Sequence, residues 1–565
     1  MPKQTQKRSK FNEKNYPLFL LLLSQITFGQ AKITETEKLS AVCKVWGFLK
    51  YYHPKVANGD FNWDQQLLDI LPKIDKAQTK AEFSLVLENW IDDLGPIKEI
   101  GPITVPKDVR FFDKNFDLRW INSNKLFSKK LSKKLKFIEE NRFQGKQFYV
   151  EGKEHVENVS LINERYDDPN FNDKNSKLRM IFMYWNVVEY FFPFKYLMSQ
   201  KWDETLTETL PEVVKAESQN DFYTVMKKMI SKMDDSHTEF FVYPSASTSG
   251  ERRRFFPADG KIIDEKIVVT EILGDSLAEA YNIKVGDVIT KINDKTIKDF
   301  ISEKRDLICA SNEAAYLDKL AKIVLVNPSD NVKVEFLKDG KYETKEMIWF
   351  DYHDSHRNEF KKGAMKKRDK FKFLGNNIGY VDMGIIKPKN IPAMIEALKA
   401  SKAIVFDMRN YPNGTFREIS QFLNPQEKEF AIYTRPYYGY PGKFIWDGST
   451  KSGSENKDNY KGKVIVLLNE KSISQSEWTA MCFQTAGNTT IIGSQTAGAD
   501  GNVSQFDFKG FHTLFSGIGV YYPDGRETQR IGIVPDIEVK PTIKGIKEGK
   551  DEVLDRALVF IETGK

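Results

Sequence analysis

The chain of 565 residues contains little cysteine and, beyond its first thirty residues, no long apolar run. Cys43, Cys309 and Cys482 lie far apart in apolar surroundings, so a disulfide framework is excluded and buried thiols are expected. Lys+Arg 85 against Asp+Glu 79 gives a net charge of +6 without a dense basic stripe, which argues against a nucleic-acid-binding protein. Because no second run approaches about 18 apolar residues, no stable membrane span is expected in the mature chain.

Common catalytic signatures are also missing. The sequence contains no H-E-x-x-H, no G-x-x-x-x-G-K-[ST], no G-x-S-x-G and no convincing dinucleotide-binding fingerprint. Zinc peptidases, P-loop enzymes and ordinary α/β-hydrolases are therefore not the leading expectation. No Cys-His pair has the spacing of a metal site, and neither a metal nor an organic cofactor is predicted.

The first 31 residues have the pattern of an export signal. Five basic residues between positions 3 and 14 precede an apolar run at 17–28, and the small residues Gly29 and Ala31 follow it. The run is shorter than the roughly 20 apolar residues that a membrane span needs. The sequence therefore predicts that this segment is cleaved, with retention as an uncleaved anchor as the alternative.

Part of the N-terminal region occurs twice. Two tryptophans and two prolines return at a constant offset of 139 positions (185 − 46) with no gap. The pairs are Trp46 and Trp185, Pro54 and Pro193, Trp63 and Trp202, and Pro72 and Pro211. This self-similarity predicts a duplicated helical unit with tryptophan packed between helices. His53 falls opposite Phe192, so it is interpreted as a packing residue.

The rest of the chain changes character in steps. A polar segment separates the two copies, short strands with turns follow them, and strands then alternate with helical patterns. That last alternation predicts an α/β core with a partly parallel sheet. The expected boundaries are 1–31 for the signal, 32–140 for the first helical copy, 141–177 for a linker, 178–245 for the second copy, 254–348 for a β-rich domain and 370–565 for the α/β core.

A strand, a turn and a helix carry the candidate nucleophile. The apolar strand 464–469 runs into Glu470-Lys-Ser-Ile-Ser-Gln-Ser-Glu477. A serine at a helix start has its Oγ beside free N–H groups and the positive end of the helix dipole, where an oxyanion could also be stabilised. Ser474-x-x-Glu477 is equally a capping-box pattern, so an ordinary N-cap is the alternative.

Six histidines could supply the general base. His237 closes the second helical copy directly after Ser236, an unusual position from which an imidazole could take a proton from a serine at neutral pH. His512, in a strand rich in Phe and Leu, is the second candidate. The others are interpreted as packing, linker or surface residues: His53, His155, His353 and His356.

Residues 407–414 (D-M-R-N-Y-P-N-G) follow a strand and form a further candidate segment. Asn413-Gly414 after a proline is a turn signal, and such a turn can direct backbone N–H groups at an anion. A tight connection between a strand and a helix is the alternative interpretation.

Together these segments resemble the tail-specific (C-terminal processing) serine peptidases, from about position 177 onward. Residues 235–238 (D-S-H-T) resemble the family's D-x-H-T segment, and residues 472–477 (S-I-S-Q-S-E) its S-A-S-A-S-E nucleophile motif. Residues 407–414 are similar to its D-L-R-x-N-x-G-G turn, and residues 276–293 to the second half of a PDZ domain. The resemblance implies an α/β (ClpP/crotonase-like) catalytic core with an inserted β-rich PDZ-like domain, after the duplicated helical N-terminal region.

The chain departs from the Ser-Lys members of this family, which carry a lysine directly after the glycine of a T-x-G segment. Ala499 occupies that position here, and Ser236-His237 is closer to the tricorn-like branch, which uses a histidine base helped by a serine and a glutamate. The roles that the resemblance implies are nucleophile for Ser474, general base for His237, orientation of the imidazole for Ser236 and Glu527, and oxyanion stabilisation for Gln475, Asn413 and Gly414.

The resemblance implies an exported serine endopeptidase that acts on unfolded or tail-exposed polypeptides, periplasmic or secreted at a bacterial envelope. The PDZ-like domain would bind the polypeptide as an added strand and hold its C-terminal carboxylate. No cofactor or nucleic acid is implied. Since the absent lysine and Asn413 are also features of a decayed site, a catalytically inactive peptide- or ligand-binding member of the same fold is the alternative.

Overall fold

The structure is a computed structural model that describes residue 1 and residues 32–154, 158–164, 170–243, 253–351, 368–508 and 510–565. The predicted signal from residue 2 to residue 31 lies outside these ranges, as do His155, His353 and His356. Within the described ranges, no helix combines the length and apolar character that crossing a bilayer requires.

The N-terminal region is mainly helical, and both copies share one hydrophobic core. That core extends into Phe506 and Phe515, so the helical region packs directly on strands of the C-terminal part. Its elements are α1 (Glu35–Tyr52), α2 (Pro54–Ala57), α3 (Trp63–Lys76), α4 (Lys80–Asp93), β1 (Phe111–Phe112), α5 (Trp120–Ser123), α6 (Lys129–Glu140), β2 (Val150–Gly152), β3 (Val159–Leu161), α7 (Lys174–Phe191), α8 (Trp202–Lys215), α9 (Gln219–Ser231) and β4 (Glu239–Val242).

The two copies have the same helical register. Helices α1 and α7 begin and end 139 residues apart (174 − 35 and 191 − 52), and so do α3 and α8 (202 − 63 and 215 − 76). In the first copy, the indole N–H groups of Trp46 and Trp63 each donate to the other's main-chain carbonyl, at 3.2 and 3.1 Å. Trp185 and Trp202 repeat this exchange at 3.0 Å. Each large ring is thereby buried with its polar atom satisfied.

Equivalent positions also meet between the copies. The rings of Tyr51 and Tyr190, which correspond in the repeat, lie 5.0 Å apart between centroids. Asp64 lies 3.4 Å from Arg179 of the second copy, and Asp203 lies 2.6 Å from Lys44 of the first. The duplicated unit therefore packs against itself as a pseudo-symmetric pair.

The segment expected to be a linker, 141–177, is part of this folded region. It contains the antiparallel hairpin of β2 and β3, and α7 begins inside it. Gln147 donates to the main-chain carbonyl of Tyr51 at 3.0 Å, and Asn158 donates to that of Val503 at 2.9 Å. These bonds attach the segment both to the first helical copy and to the C-terminal part, which its polar composition did not indicate.

Residues 254–351 form the inserted β-rich domain around their own core. An antiparallel sheet has the order β12-β11-β8-β7-β6, so β6 and β12 are its edge strands. The elements are β5 (Arg254–Phe255), β6 (Ala258–Ile263), β7 (Lys266–Ile272), α10 (Asp275–Ala280), β8 (Val288–Ile292), β9 (Lys295–Thr296), α11 (Ile297–Glu303), α12 (Glu313–Val324), β10 (Val326–Asn327), β11 (Val332–Lys338), β12 (Lys341–Met347) and β13 (Phe350–Asp351).

The C-terminal part is built on a sheet of order β14-β15-β16-β19-β20-β24, parallel from β15 to β24. The elements are β14 (Phe371–Phe373), β15 (Ile378–Asp382), α13 (Ile391–Leu398), β16 (Ala403–Asp407), α14 (Phe416–Leu423), β17 (Lys428–Pro436), β18 (Phe444–Ser452), β19 (Lys463–Leu468), α15 (Gln475–Gln484), β20 (Thr489–Gly493), β21 (Val503–Phe508), β22 (Phe511–Ser516), β23 (Gly519–Tyr521), β24 (Ile537–Glu538), α16 (Ile543–Lys547) and α17 (Glu552–Thr563).

The central strands of this sheet lie between two layers of helices. Every residue of β16 is buried, as expected for a parallel strand covered by helices on both faces. Helices α13, α14 and α15 share a core with one face, and α17 covers the other. The predicted α/β core with a partly parallel sheet is confirmed. The carboxyl ends of β16 and β19 lead into the two turns that carry the candidate site.

Candidate active site

Ser474 lies at the start of α15, a few residues after the buried strand β19. Its backbone has φ 54° and ψ −118°, a conformation that costs energy for any residue other than glycine. An ordinary N-cap residue has an extended backbone, so a capping role alone does not account for this strain. A half-buried serine on a strained turn between a strand and a helix has the geometry of a nucleophile elbow.

Glu477 is fully buried and organises the loop beside Ser474. Its two carboxyl oxygens accept hydrogen bonds from the Thr496 hydroxyl, from Gly498 N–H at 2.8 Å and from Ala499 N–H at 3.0 Å. Burial and the charge of the neighbouring Asp500 raise the pKa of Glu477 to about 8. Ser474 N–H lies 3.3 Å from Glu477 Oε2, which preserves the backbone contact of a capping box. Glu477 thus connects the nucleophile turn to the 496–499 segment.

We expect Glu477→Gln to lower the turnover of polypeptide cleavage about tenfold to a hundredfold. Both carboxyl oxygens of Glu477 accept hydrogen bonds, so the amide of the variant would direct N–H groups at donors on one side. Each buried group left without a partner costs about 1–3 kcal/mol. Steady-state kcat and KM, measured beside the thermal midpoint, test this. Glu418→Gln, an exposed glutamate on α14, is the matched control and should change neither value. Unaltered turnover in Glu477→Gln would contradict the expected result.

His237 lies in the turn between α9 and β4. Its Nδ1 is 2.9 Å from Ser516 Oγ on β22, and its main-chain N–H donates to Asp235 Oδ1 at 3.1 Å. Burial lowers the pKa of His237, an effect that Asp235 opposes and Lys319 reinforces. The imidazole is therefore neutral at pH 7 and can accept a proton.

One loop connects the histidine turn to the serine turn. Ser236 Oγ donates to the carbonyl of Ala497 at 2.8 Å, and Ser474 N–H donates to the carbonyl of Ala499 at 2.9 Å. Among the described residues no hydrogen bond joins the side chains of His237 and Ser474. Such catalytic contacts are often long without substrate and shorten in the reacting complex. The turn that carries the predicted base and the turn that carries the predicted nucleophile are therefore attached two residues apart on one segment, at Ala497 and Ala499.

The structure corrects the two residues that the resemblance assigned to the imidazole. Ser236 exchanges two hydrogen bonds with Ser311, at 2.7 and 2.9 Å, in addition to its bond with Ala497. Glu527 accepts from the Tyr196 hydroxyl at 2.8 Å. Within the part of the chain that the structure describes, the side chain bonded to His237 Nδ1 is instead that of Ser516.

The misplacement of Glu527 has a local cause. Placing Glu527 and Gln529 on one face assumed a regular strand, whereas this segment is a turn with a single bridge between Tyr521 and Glu527. Gln529, and not Glu527, reaches Asp235, at 3.1 Å. His512, the second candidate base, contacts Asp507 at 2.9 Å, four residues along β22 from Ser516.

The two candidate oxyanion segments meet at the start of α15. A Cβ on Gly414, whose φ is +70°, would lie 3.7 Å from Gln475 Nε2. Asn413 Nδ2 donates to the carbonyls of Gly384 and Ile386 at 2.9 and 3.1 Å, so its side chain holds the turn in place. The main-chain N–H groups of Gln475 and Gly414 have no acceptor among the described residues. Both are available to an oxyanion.

Arg409 supports the same turn from behind. Its guanidinium donates to Asp407 and to both carboxylate oxygens of Asp551, the latter at 2.7 Å. This bidentate contact joins the turn to Asp551 at the start of α17. The sequence did not predict Ser516 as a site residue, because it is distinguished there only as a polar residue in a strand rich in aromatic residues.

The inserted domain contacts the histidine turn and the 496–499 segment. Lys319 Nζ, on α12, donates to the carbonyls of Ser236 at 2.8 Å and Thr238 at 3.3 Å, on either side of His237. Asn312 Nδ2 donates to the carbonyl of Thr496 at 2.9 Å.

Among the described residues, no group of three or more His, Cys, Asp or Glu side chains could hold a metal ion.

The predicted fold, an α/β peptidase core with an inserted PDZ domain, is confirmed. Residues 377–539 match the profile of peptidase family S41, and residues 247–310 match the PDZ domain. The predicted resemblance to serine peptidases that carry a PDZ domain is confirmed over these residues.

Relatives and solved structures similar to this chain include the following three. A probable CtpA-like serine protease of Staphylococcus haemolyticus is 25% identical over 283 residues, covering 49% of this chain and 50% of the relative. A protein of the same description from Staphylococcus aureus is 24% identical over 300 residues, covering 51% and 55%. The chain spans about half the length of these curated relatives. A crystal structure of mature CPAF superposes with a TM-score of 0.54 at 13% identity, over 69% of this chain and 98% of that one, which shows a shared fold.

Proposed function

We propose that this protein is an exported serine endopeptidase that cleaves unfolded or tail-exposed polypeptides, with Ser474 as nucleophile and His237 as general base. The observation that carries this proposal is the strained backbone of Ser474 beside two N–H groups without an acceptor among the described residues. A serine that only capped α15 would need neither feature.

The geometry supports an acyl-transfer mechanism. Ser474 Oγ attacks the peptide carbonyl carbon while His237 Nε2 accepts the hydroxyl proton and then delivers it to the leaving amine. The N–H groups of Gln475 and Gly414 bond the oxygen of the tetrahedral intermediate. Loss of one such donor typically costs about 10²–10³ in rate. A water molecule, deprotonated by the same imidazole, then hydrolyses the acyl-enzyme.

The inserted domain supports a polypeptide substrate. Strand β6 lies at a sheet edge, and a polypeptide can join such an edge through main-chain hydrogen bonds. The PDZ match supports recognition of a C-terminal carboxylate, which is proposed here for substrates with an exposed tail. The basic and apolar pattern of residues 1–31 supports export to the periplasm or the cell exterior.

A fluorophosphonate reagent tests the proposal, because it phosphonylates an activated serine. We expect one phosphonyl group per chain, located on Ser474 by mass spectrometry, and a parallel loss of cleavage of unfolded casein. Prior incubation with a peptide that has a free C-terminus should slow cleavage more than its C-terminal amide does. Absence of labelling and of cleavage in a chain that still binds the peptide would favour the inactive, ligand-binding alternative.

A further inference from the structure

A continuous chain of hydrogen bonds leads from His237 to a buried carboxylate. His237 Nδ1 lies 2.9 Å from Ser516 Oγ, and Ser516 Oγ donates to Asp235 Oδ1 at 3.0 Å. Ser516 and Asp235 are both fully buried. The three groups come from two distant parts of the chain, the histidine turn and the end of β22.

The surroundings of Asp235 set the direction of these hydrogen bonds. Besides the Ser516 hydroxyl, its carboxylate accepts from four donors: the N–H of Ser516 at 2.8 Å, the hydroxyl of Thr238 at 3.0 Å, the amide of Gln529 at 3.1 Å and the N–H of His237 at 3.1 Å. Since every neighbour donates, both carboxylate oxygens act as acceptors, and the Ser516 hydrogen points at Asp235.

This direction determines which imidazole nitrogen carries hydrogen. Because the hydroxyl hydrogen of Ser516 points at Asp235, Ser516 Oγ can only accept a hydrogen bond from the ring. Nδ1 must therefore be the protonated nitrogen. Nε2 then keeps its lone pair. That tautomer is the one that a histidine needs in order to remove a proton from a serine.

We propose that Ser516 and Asp235 are positioning residues that hold His237 in this tautomer and stabilise its protonated form through the Ser516 hydroxyl. The inference rests on the proposed function. The carboxylate acts indirectly, through the Ser516 hydroxyl, whereas in a usual triad the carboxylate contacts the imidazole directly. Gln529 adds no charge, and it orients Asp235 by donating to Oδ1. Asp235 is the negative group that acts on the imidazole, opposite the positive charge of Lys319.

Ser516→Ala and Ser516→Thr test the relay kinetically. We expect Ser516→Ala to lower kcat about a hundredfold with little change in KM, and to shift the acidic limb of the kcat/KM profile to lower pH. The shift follows because the imidazolium loses the group that connects it to a negative charge. Ser516→Thr retains a hydroxyl and should recover most of the turnover. Ser504→Ala, a buried serine on the neighbouring β21 that bonds Asn158, is the matched control and should change neither value.

Nitrogen-15 NMR of the histidine ring tests the relay without requiring activity. We expect the free protein to show Nδ1 protonated and Nε2 unprotonated at His237, with the resonances assigned by their loss in His237→Gln. Ser516→Ala should change the tautomer ratio. If the wild type is inert yet shows this tautomer, the proposed function fails and the relay stands. Protonation of Nε2 in the wild type, or unchanged kcat and pH profile in Ser516→Ala, would overturn the relay.

Discussion

Replacing Ser474 with alanine is expected to reduce polypeptide cleavage by about 10⁶-fold, and His237→Ala and the double variant should fall to the same level. The nucleophile and the base work as one unit, so removal of either leaves the other without a function. The serine turn and the histidine turn are attached to one loop at Ala499 and Ala497, which is the structural reason to expect such coupling. Single-turnover cleavage of a labelled, unfolded polypeptide measures all three variants.

Ser476→Ala is the matched control for this experiment. It removes a serine from the same motif whose buried hydroxyl has no hydrogen-bond partner among the described residues. Its cleavage rate should stay within about twofold of the wild type, because removing a hydroxyl that has no partner leaves no other buried group unpaired. Separate losses that multiply in the double variant would contradict a Ser-His unit, and retained cleavage in His237→Ala would require another base.

Acid is expected to destabilise the folded protein through His53. This residue has no exposed surface, and neither ring nitrogen has a hydrogen-bond partner within the described part of the chain. Burial, and to a lesser extent Lys55, lowers the pKa of His53 from 6.5 to about 4. Between these two values the unfolded chain binds a proton that the folded chain excludes. The contribution of His53 to the free energy of unfolding is therefore fully present above pH 6.5. It is lost as the pH falls toward 4, and the total loss is about 3 kcal/mol.

The repeat itself provides the substitution that tests this effect. Phe192 occupies the corresponding position in the second copy and is equally buried, so His53→Phe places an apolar ring where the fold already accepts one. The quantity to compare is the free energy of unfolding of the variant minus that of the wild type. We expect this difference to be about 3 kcal/mol larger near pH 4 than at pH 7.5. Urea denaturation at both pH values measures this difference. An equal stability change at the two pH values would contradict the assignment of the acid sensitivity to His53.

Several features of this protein could be predicted because they depend on residues close together in the chain. The offset of 139 located helices of equal length, and the paired tryptophans predicted packing that the structure shows as reciprocal hydrogen bonds. The turn at Ser474 was predicted because strand, turn and helix signals follow one another within about twelve residues. Short-range backbone preferences and hydrophobic periodicity are sufficient to place such elements.

The sequence by itself thus determined the α/β core, the repeat and the two turns that carry Ser474 and His237. Only the tertiary structure decided which groups surround the imidazole. Ser516 and Gln529 lie 281 and 294 residues from Asp235, and sheet packing, not local pattern, brings them together. A strand period does not apply to the turn that contains Glu527. The role that the resemblance implies for Ser236 depends on contacts with distant residues, and its partners here are Ala497 and Ser311. A side chain's partner depends on where distant elements meet, and no local preference encodes that choice.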